Sequence, residues 1–220
     1  VRQIENQNLH ALNIPELTII TPAALQTEAE RVAQLHREEG LTVAVIEQEK
    51  IFNEFSSGTP DASAYRRLMK MFYDRAEGNE NVRPRYLLLF GDGSYNNRKS
   101  MEKLHSPECN MLLTYQSKTS IDERESFVIE DYFGFLEDNS GEEIKVDKVC
   151  LGIGRFPISS IKNARLVVDK LYRYVHDKDF SSWKNNICIA ADDGDEAIHA
   201  EQADSCLLYT SDAADDRISV

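Results

Sequence analysis

The sequence predicts an α/β protein, a mostly parallel sheet with helices on both faces. Three observations carry that expectation. Short apolar runs of strand length alternate with amphipathic helical stretches in the order β-α-β-α-β-loop-β-α-β-α, the pattern that lays helices on a parallel sheet. Tyr86–Phe90 is almost wholly apolar, as suits a central strand covered on both faces. Four blocks end in polar or glycine-rich turns: Tyr86–Ser94, Glu130–Gly134, Val149–Pro157 and Ile187–Asp195. Glu130–Gly134 is more turn than strand; the other three are apolar runs halted by Gly, Asp or Pro. In open α/β sheets, ligands and catalytic groups gather at the carboxyl ends of strands, and here those ends hold acids and glycines.

The elements follow in order. Residues 1–14 are polar and lack periodicity, which reads as a linker from an upstream domain. Leu17–Ile20 is the first strand. Pro22 starts a helix that runs to about Glu39, with Leu25, Ala29, Val32, Ala33 and His36 on one face. Gly40 closes it and Leu41–Ile46 is the second strand. After the turn Phe55–Pro60, Asp61 caps a helix whose stripe is Ala64, Leu68, Met71, Phe72 and Arg75. Tyr86–Phe90 is the third strand, and a long loop follows, interrupted by the apolar piece Met111–Tyr115. Lys148–Ile153 is the fourth strand. Ser159 or Ser160 caps a helix to about His176, with Ile161, Ala164, Val168, Leu171 and Val175 on one face. Ile187–Ala191 is a further strand, and a helix starts at residue 196. No internal repeat or low-complexity tract interrupts the pattern.

The 220 residues suffice for one good-sized α/β domain, and 41% hydrophobic with 29% charged content is ordinary for a globular protein. A net charge of −13 and a pI near 4.9 argue against nucleic acid or an anionic membrane as partner. No apolar run approaches the roughly 20 residues that cross a bilayer. The chain opens on Val1-Arg-Gln-Ile-Glu5 without a signal peptide, which reads as an internal piece of something longer. Cys109, Cys150, Cys188 and Cys206 form no C-x-x-C pair, so zinc is not expected; Cys150 and Cys188 lie in strand patterns that suit buried thiols. Cys206–Asp216 matches one reading frame of a common transposase-based sequencing adapter, so residues 206–220 are read as adapter read-through and are assigned no structure.

Gly91-Asp-Gly-Ser94 lacks the Gly-Lys-Ser/Thr ending of a phosphate loop, the third glycine of a dinucleotide fingerprint and the Gly-x-Ser-x-Gly of a hydrolase elbow. It reads as a tight turn in which Gly91 and Gly93 supply unusual backbone angles and Asp92 caps backbone N–H groups. His105 and Cys109 lie four apart, yet nothing nearby would depress the thiol pKa or orient the base, so they are not read as a catalytic dyad. Arg155 ends a strand, from which it can reach a carboxylate on a neighbouring strand end as a structural ion pair. Asp192-Asp-Gly-Asp195 with Glu196 crowds four carboxylates at one strand end. Capping of the following helix, a calcium site, and a catalytic or substrate-binding cluster all remain open from spacing alone.

Asn53-Glu-Phe-Ser-Ser-Gly58, Phe90-Gly-Asp-Gly-Ser-Tyr95, Glu130-Asp-Tyr-Phe-Gly-Phe135, Gly154-Arg-Phe-Pro157 and Trp183–Asp195 followed by His199 occur in one order. Residues 15–205 thereby resemble the first part of the catalytic domain of gingipain-type cysteine peptidases. The first two blocks look like the PorU-type sortase branch of type IX secretion. The resemblance implies a caspase-like catalytic domain of two α/β subdomains, of which this chain is the N-terminal one, truncated. It implies a His base in a His-Gly motif and a strand-end Cys nucleophile, both downstream of Ser205, so that the fragment is inactive alone. By the same resemblance Asp193 is the carboxylate that orients the catalytic His, and Glu196, three before His199, lines a pocket for a basic side chain; the family pattern has Asp at that second place.

The implied chemistry is acyl transfer, with peptide-bond cleavage and transpeptidation both open. Substrates would be secreted proteins bearing C-terminal sorting domains, and other secretion-system components would be partners. No cofactor is required and calcium remains one reading of the acid cluster. The implied location is extracytoplasmic, at the outer membrane or cell surface. The alternative from another class is a non-catalytic α/β binding or scaffold module of a large surface protein; a nucleotide-binding enzyme is disfavoured by the failed glycine patterns.

Overall fold

All five residues of Leu17–Thr21 (β1) are buried, its two threonines included. Such a strand has to sit at the centre of a sheet with cover on both sides. In this computed structural model it does: β1 pairs in parallel with Val43–Glu47 (β2) on one side and with Tyr86–Phe90 (β3) on the other. Gly152–Phe156 (β4) extends the sheet from β3, giving the order β2-β1-β3-β4, all parallel. The structure describes residues 6–97, 111–119, 121–122, 124–143, 146–179, 181–186, 188–192 and 194–215, without the side chains of 184, 185, 195 and 209–215. The chain divides into two units, Val1–His176 and Asp177–Val220.

Alternation along the strands separates two apolar layers. Leu17 and Ile19 of β1, Leu88 and Phe90 of β3 and Phe156 of β4 pack with helices Gln26–Glu38 (α1) and Ile161–Val175 (α4), through Ala29, Val32, Ala33, Ala164 and Val168. Ile20, Ile46, Leu87, Leu89 and Ile153 face the other way. There they meet helices Gln48–Phe55 (α2) and Ser63–Arg75 (α3) and the 3-10 turn Asp131–Gly134. Tyr65, Leu68, Met69 and Phe72 are wholly buried in that second layer. The α3 stripe is therefore centred on Tyr65 and Met69, one step round the helix from Met71 and the exposed Arg75.

Caps and turns fall largely where their side chains dictate. Ser160 Oγ accepts the Asn163 N–H at 3.1 Å and opens α4. Asp61 Oδ1 accepts the Ser63 N–H at 2.8 Å ahead of α3. Gly40 ends α1 with φ +95°, in the left-handed region.

Four elements differ from the sequence expectation. Helix α2 follows β2 without a breaker at Glu47–Gln48, so no local signal marks its start, although Gln48, Ile51, Phe52 and Phe55 lie at helical spacing. Strand β4 begins four residues later than Lys148, because the Cys150 N–H is already bonded to the Gly134 carbonyl at 2.8 Å. Of the expected strand Ile187–Ala191, Ile187 lies outside the described residues and 188–191 carry no strand; a strand needs a ladder partner for its backbone groups, which an apolar run alone does not provide. The helices of Asp177–Val220 are the 3-10 turns Ser182–Asn185 and Asp195–Ala197 and the helix Ile198–Asp215 (α5), which continues through the stretch assigned no structure. The segment read as a linker also carries structure: Leu9–Ala11 is a 3-10 turn with Leu9 buried in the α2/α3 layer.

Candidate functional site

The carboxyl edge of the sheet, where β3 and β4 end, is organised by Arg155. Its parity along β4 is that of Ile153, so it points to the α2/α3 side. Arg155 Nε and Nη2 donate to the two carboxylate oxygens of Glu130 at 2.8 and 3.1 Å, a fork on a fork. Nη1 donates to the carbonyls of Gly91 and Asp92 at 3.2 and 3.3 Å, and Nη2 also to that of Leu113 at 3.1 Å. One side chain, 12% exposed, thus joins the turn after β3, the 111–113 segment and the Glu130–Gly134 block. The expected ion pair forms, but its carboxylate stands just before a 3-10 turn rather than at a strand end.

The Gly91–Ser94 turn is tight for a reason other than backbone angle. Gly93 does not have positive φ; a Cβ there would lie 2.8 Å from Thr114 Cγ2 and 3.3 Å from Arg155 Cζ. The turn is glycine because the 111–116 segment closes over it. Asp92 Oδ1 does accept a backbone N–H, that of Gly93 at 2.9 Å, and residue 92 bridges to Met111. Thr114 Oγ1 donates to the Ser94 carbonyl at 2.8 Å, and Asn97 brackets Thr114 from both sides of its peptide at 2.7 and 3.1 Å. Toward β2, Gln48 Nε2 donates to the Met111 carbonyl at 2.8 Å, while Gln48 Oε1 accepts the Tyr65 hydroxyl at 2.7 Å. The same hydroxyl accepts the Leu113 N–H at 3.3 Å. The result is a cross-braced rim at the end of an α/β sheet where function is ordinarily built.

Sequence reasoning missed Gln48 and Tyr65, whose polarity is hidden inside apolar helical stripes. Glu130 had a signal, since it opens one of the blocks that stood out.

The acid cluster belongs to the other unit. Asp193 lies outside the described residues, as do His105 and Cys109. Glu196 is exposed, with φ 59° and ψ 31°, and Ala197 has φ 63°. The Ala197 N–H donates to the Gly194 carbonyl at 3.0 Å, so this is a left-handed kink before α5, not a helical N-cap. His199 is exposed in the first turn of α5. Among the described residues no group of three or more His, Cys, Asp or Glu is arranged to hold a metal ion. Cys188 and Cys206 are exposed, against the buried thiol expected for Cys188. Cys150 sits at the amino-terminal side of β4, where burial first and then the neighbouring Cys150 raise the Tyr73 hydroxyl above its ordinary pKa. No described helix is long and apolar enough to cross a membrane.

The family model described as "Peptidase family C25" matches residues 10–217. The chain belongs to peptidase family C25, a family of cysteine peptidases. It is also similar to a solved structure, the dimeric latent PorU from Porphyromonas gingivalis, at 43% identity and a TM-score of 0.72, covering 85% of this chain. The chain spans 18% of that one. No curated protein matches. Both comparisons agree with the parallel α/β architecture, and the five motif blocks from Asn53 to Asp195 all fall within the C25 match.

Proposed function

We propose that the chain is the N-terminal part of the catalytic domain of a PorU-like cysteine endopeptidase, one that removes C-terminal sorting domains from type IX secreted proteins at the cell surface. The observation that carries this reading is the 43% identity over 85% of the chain to PorU, together with the C25 match. The catalytic His and Cys are assigned to sequence beyond Ser205, in a second subdomain, and residues 1–220 alone are without peptidase activity. Within this chain Asp193 orients the catalytic His and Glu196 lines the pocket for a basic substrate side chain. Within Val1–His176 the Arg155-braced rim holds the strand-end loops in one arrangement.

The chemistry follows from those roles. A thiolate attacks the scissile carbonyl, the His moves the proton to the leaving amine, and water or an acceptor amine resolves the acyl-enzyme. A carboxylate hydrogen-bonded to the imidazole fixes its tautomer, which is the contribution assigned to Asp193. The direct test uses the full-length gene product. D193A is expected to lower kcat by roughly 100-fold or more with Tm nearly unchanged; unchanged turnover rules out the role. The reading also requires a long DNA read across the Ser205 codon to continue into a His-Gly motif and a later strand-end Cys. The adapter reading of residues 206–220 rests on the likeness of their amino acids to one translated adapter frame, while the C25 match runs on to residue 217, and the same read decides between them.

A further inference from the structure

The Asn53–Gly58 block, prominent in the sequence, is not used by the chemistry above, and the structure gives it a different occupation. Four donors from the segment preceding β1 converge on one carboxylate. Glu54 accepts the Leu9 N–H at 2.8 Å, the His10 N–H at 3.3 Å, Gln7 Nε2 at 2.8 Å and His10 Nδ1 at 2.7 Å. Asn53 Nδ2 donates to Gln7 Oε1 at 3.2 Å, and the His10 ring stacks on Phe55 with centroids 4.8 Å apart. The Gly58 N–H then returns to the Phe52 carbonyl at 2.8 Å, closing the end of α2 with Ser57 and Gly58 in the left-handed region. Three successive side chains at one helix end therefore clasp a single segment, Gln7–His10.

The other end of the same helix is Gln48, 1% exposed, which holds the Met111 carbonyl and the Tyr65 hydroxyl at the carboxyl edge of the sheet. Helix α2 has eight residues. A helix that short does not persist in water on its own propensity, so its order depends on tertiary contacts along its length. Ile51 and Phe52 bury the middle. Glu54 and Gln48 secure the ends.

We propose that α2 is a two-ended strut: docking of the Gln7–His10 segment at Glu54 holds the helix in place, and Gln48 passes that order to the 111–113 segment of the carboxyl-edge rim. Anything that pulls the preceding segment away loosens the rim without touching it.

Residue-resolved amide hydrogen exchange on the full 220-residue chain tests it. In E54A the Leu9 amide loses its acceptor and is expected to exchange roughly tenfold faster or more, as for a lost hydrogen bond to a charged group. The Leu113 amide, bonded to Tyr65, is expected to accelerate with it, while Leu89 in β3 stays unchanged. Acceleration at Leu9 alone overturns the link to the rim, and acceleration at neither overturns the clasp. Equal acceleration at all three amides, in E54A and again in the milder H10A, would mean that the contacts serve global stability alone, and overturns the strut as well.

Discussion

Arg155 and Glu130 meet fork to fork across 25 residues of sequence, Nε to Oε1 at 2.8 Å and Nη2 to Oε2 at 3.1 Å, with 12% and 27% of their side chains exposed. Because Arg155 also spends donors on three carbonyls, removing either partner strands different groups. E130A leaves a shielded guanidinium without its counter-charge. R155K keeps the charge but replaces a planar fork by a point donor that cannot serve Glu130, Gly91 and Leu113 together. Each single change is expected to lower unfolding stability by about 1–3 kcal/mol, short of a fully buried pair because Glu130 keeps some solvent. Chemical denaturation of R155K, E130A and the double variant checks it. A double variant as destabilised as the sum of the singles would show that the two side chains do not act as a pair.

Gly93 makes a prediction with a built-in rescue. A methyl there meets Thr114 Cγ2 at 2.8 Å while the backbone itself is unstrained. G93A should therefore cost about 1–3 kcal/mol through overpacking. T114S removes the offending methyl and keeps the hydroxyl that donates to the Ser94 carbonyl. G93A/T114S should recover much of the loss in a thermal or denaturant melt. No recovery would place the clash elsewhere, on Arg155.

The layered sheet was legible because β1, β2 and β3 are short runs rich in branched and apolar residues bounded by turns, and because α1 and α4 carry clean apolar stripes. The rim was only half legible. Arg155 announced itself by standing at a strand end before Pro157, yet its partner is reached through a loop whose course no local pattern encodes. Helix α2 was hidden by the lack of any breaker after Glu47, and the docking of Gln7–His10 by its polar composition, which reads the same whether hydrogen bonds go to water or to Glu54. Residues 188–192 show the reverse failure. Their pattern suits a strand, but a strand exists only with a ladder partner, and sequence periodicity does not supply one.

Acid should loosen the molecule at two identifiable carboxylates. The Thr42 N–H, 3.1 Å from Oε2, holds Glu16 below the ordinary carboxylate range against the opposing effect of burial, with Arg85 assisting. At Glu54 burial alone would raise the pKa, and the Leu9 N–H, Gln7 and His10 outweigh it to give a net lowering. A carboxyl group depressed on folding contributes stability that is present above its unfolded pKa and lost as pH falls through its folded one. Unfolding stability should thus decline as pH drops through and beneath the ordinary carboxylate range. The combined E16Q and E54Q variant, less stable at neutral pH, should show a shallower decline. Identical slopes for variant and parent would assign the acid sensitivity to other groups.

Glu196 carries two separable properties, a carboxylate and a left-handed backbone. The backbone shares its conformation with Ala197, φ 59° and 63° in turn, and a non-glycine residue in that region is strained. A197G should consequently stabilise Asp177–Val220 by about 0.5–1 kcal/mol, read in a thermal or denaturant melt. The proposed pocket role makes the carboxylate a determinant of substrate choice. In the full-length enzyme E196Q keeps the size and loses the charge, so kcat/KM for substrates with Arg or Lys before the scissile bond should fall roughly 10- to 100-fold, the worth of one charged hydrogen bond. Substrates with a neutral side chain there should be nearly unaffected, and KM should carry most of the change. Equal losses on basic and neutral substrates would mean that Glu196 shapes the kink and does not line the pocket.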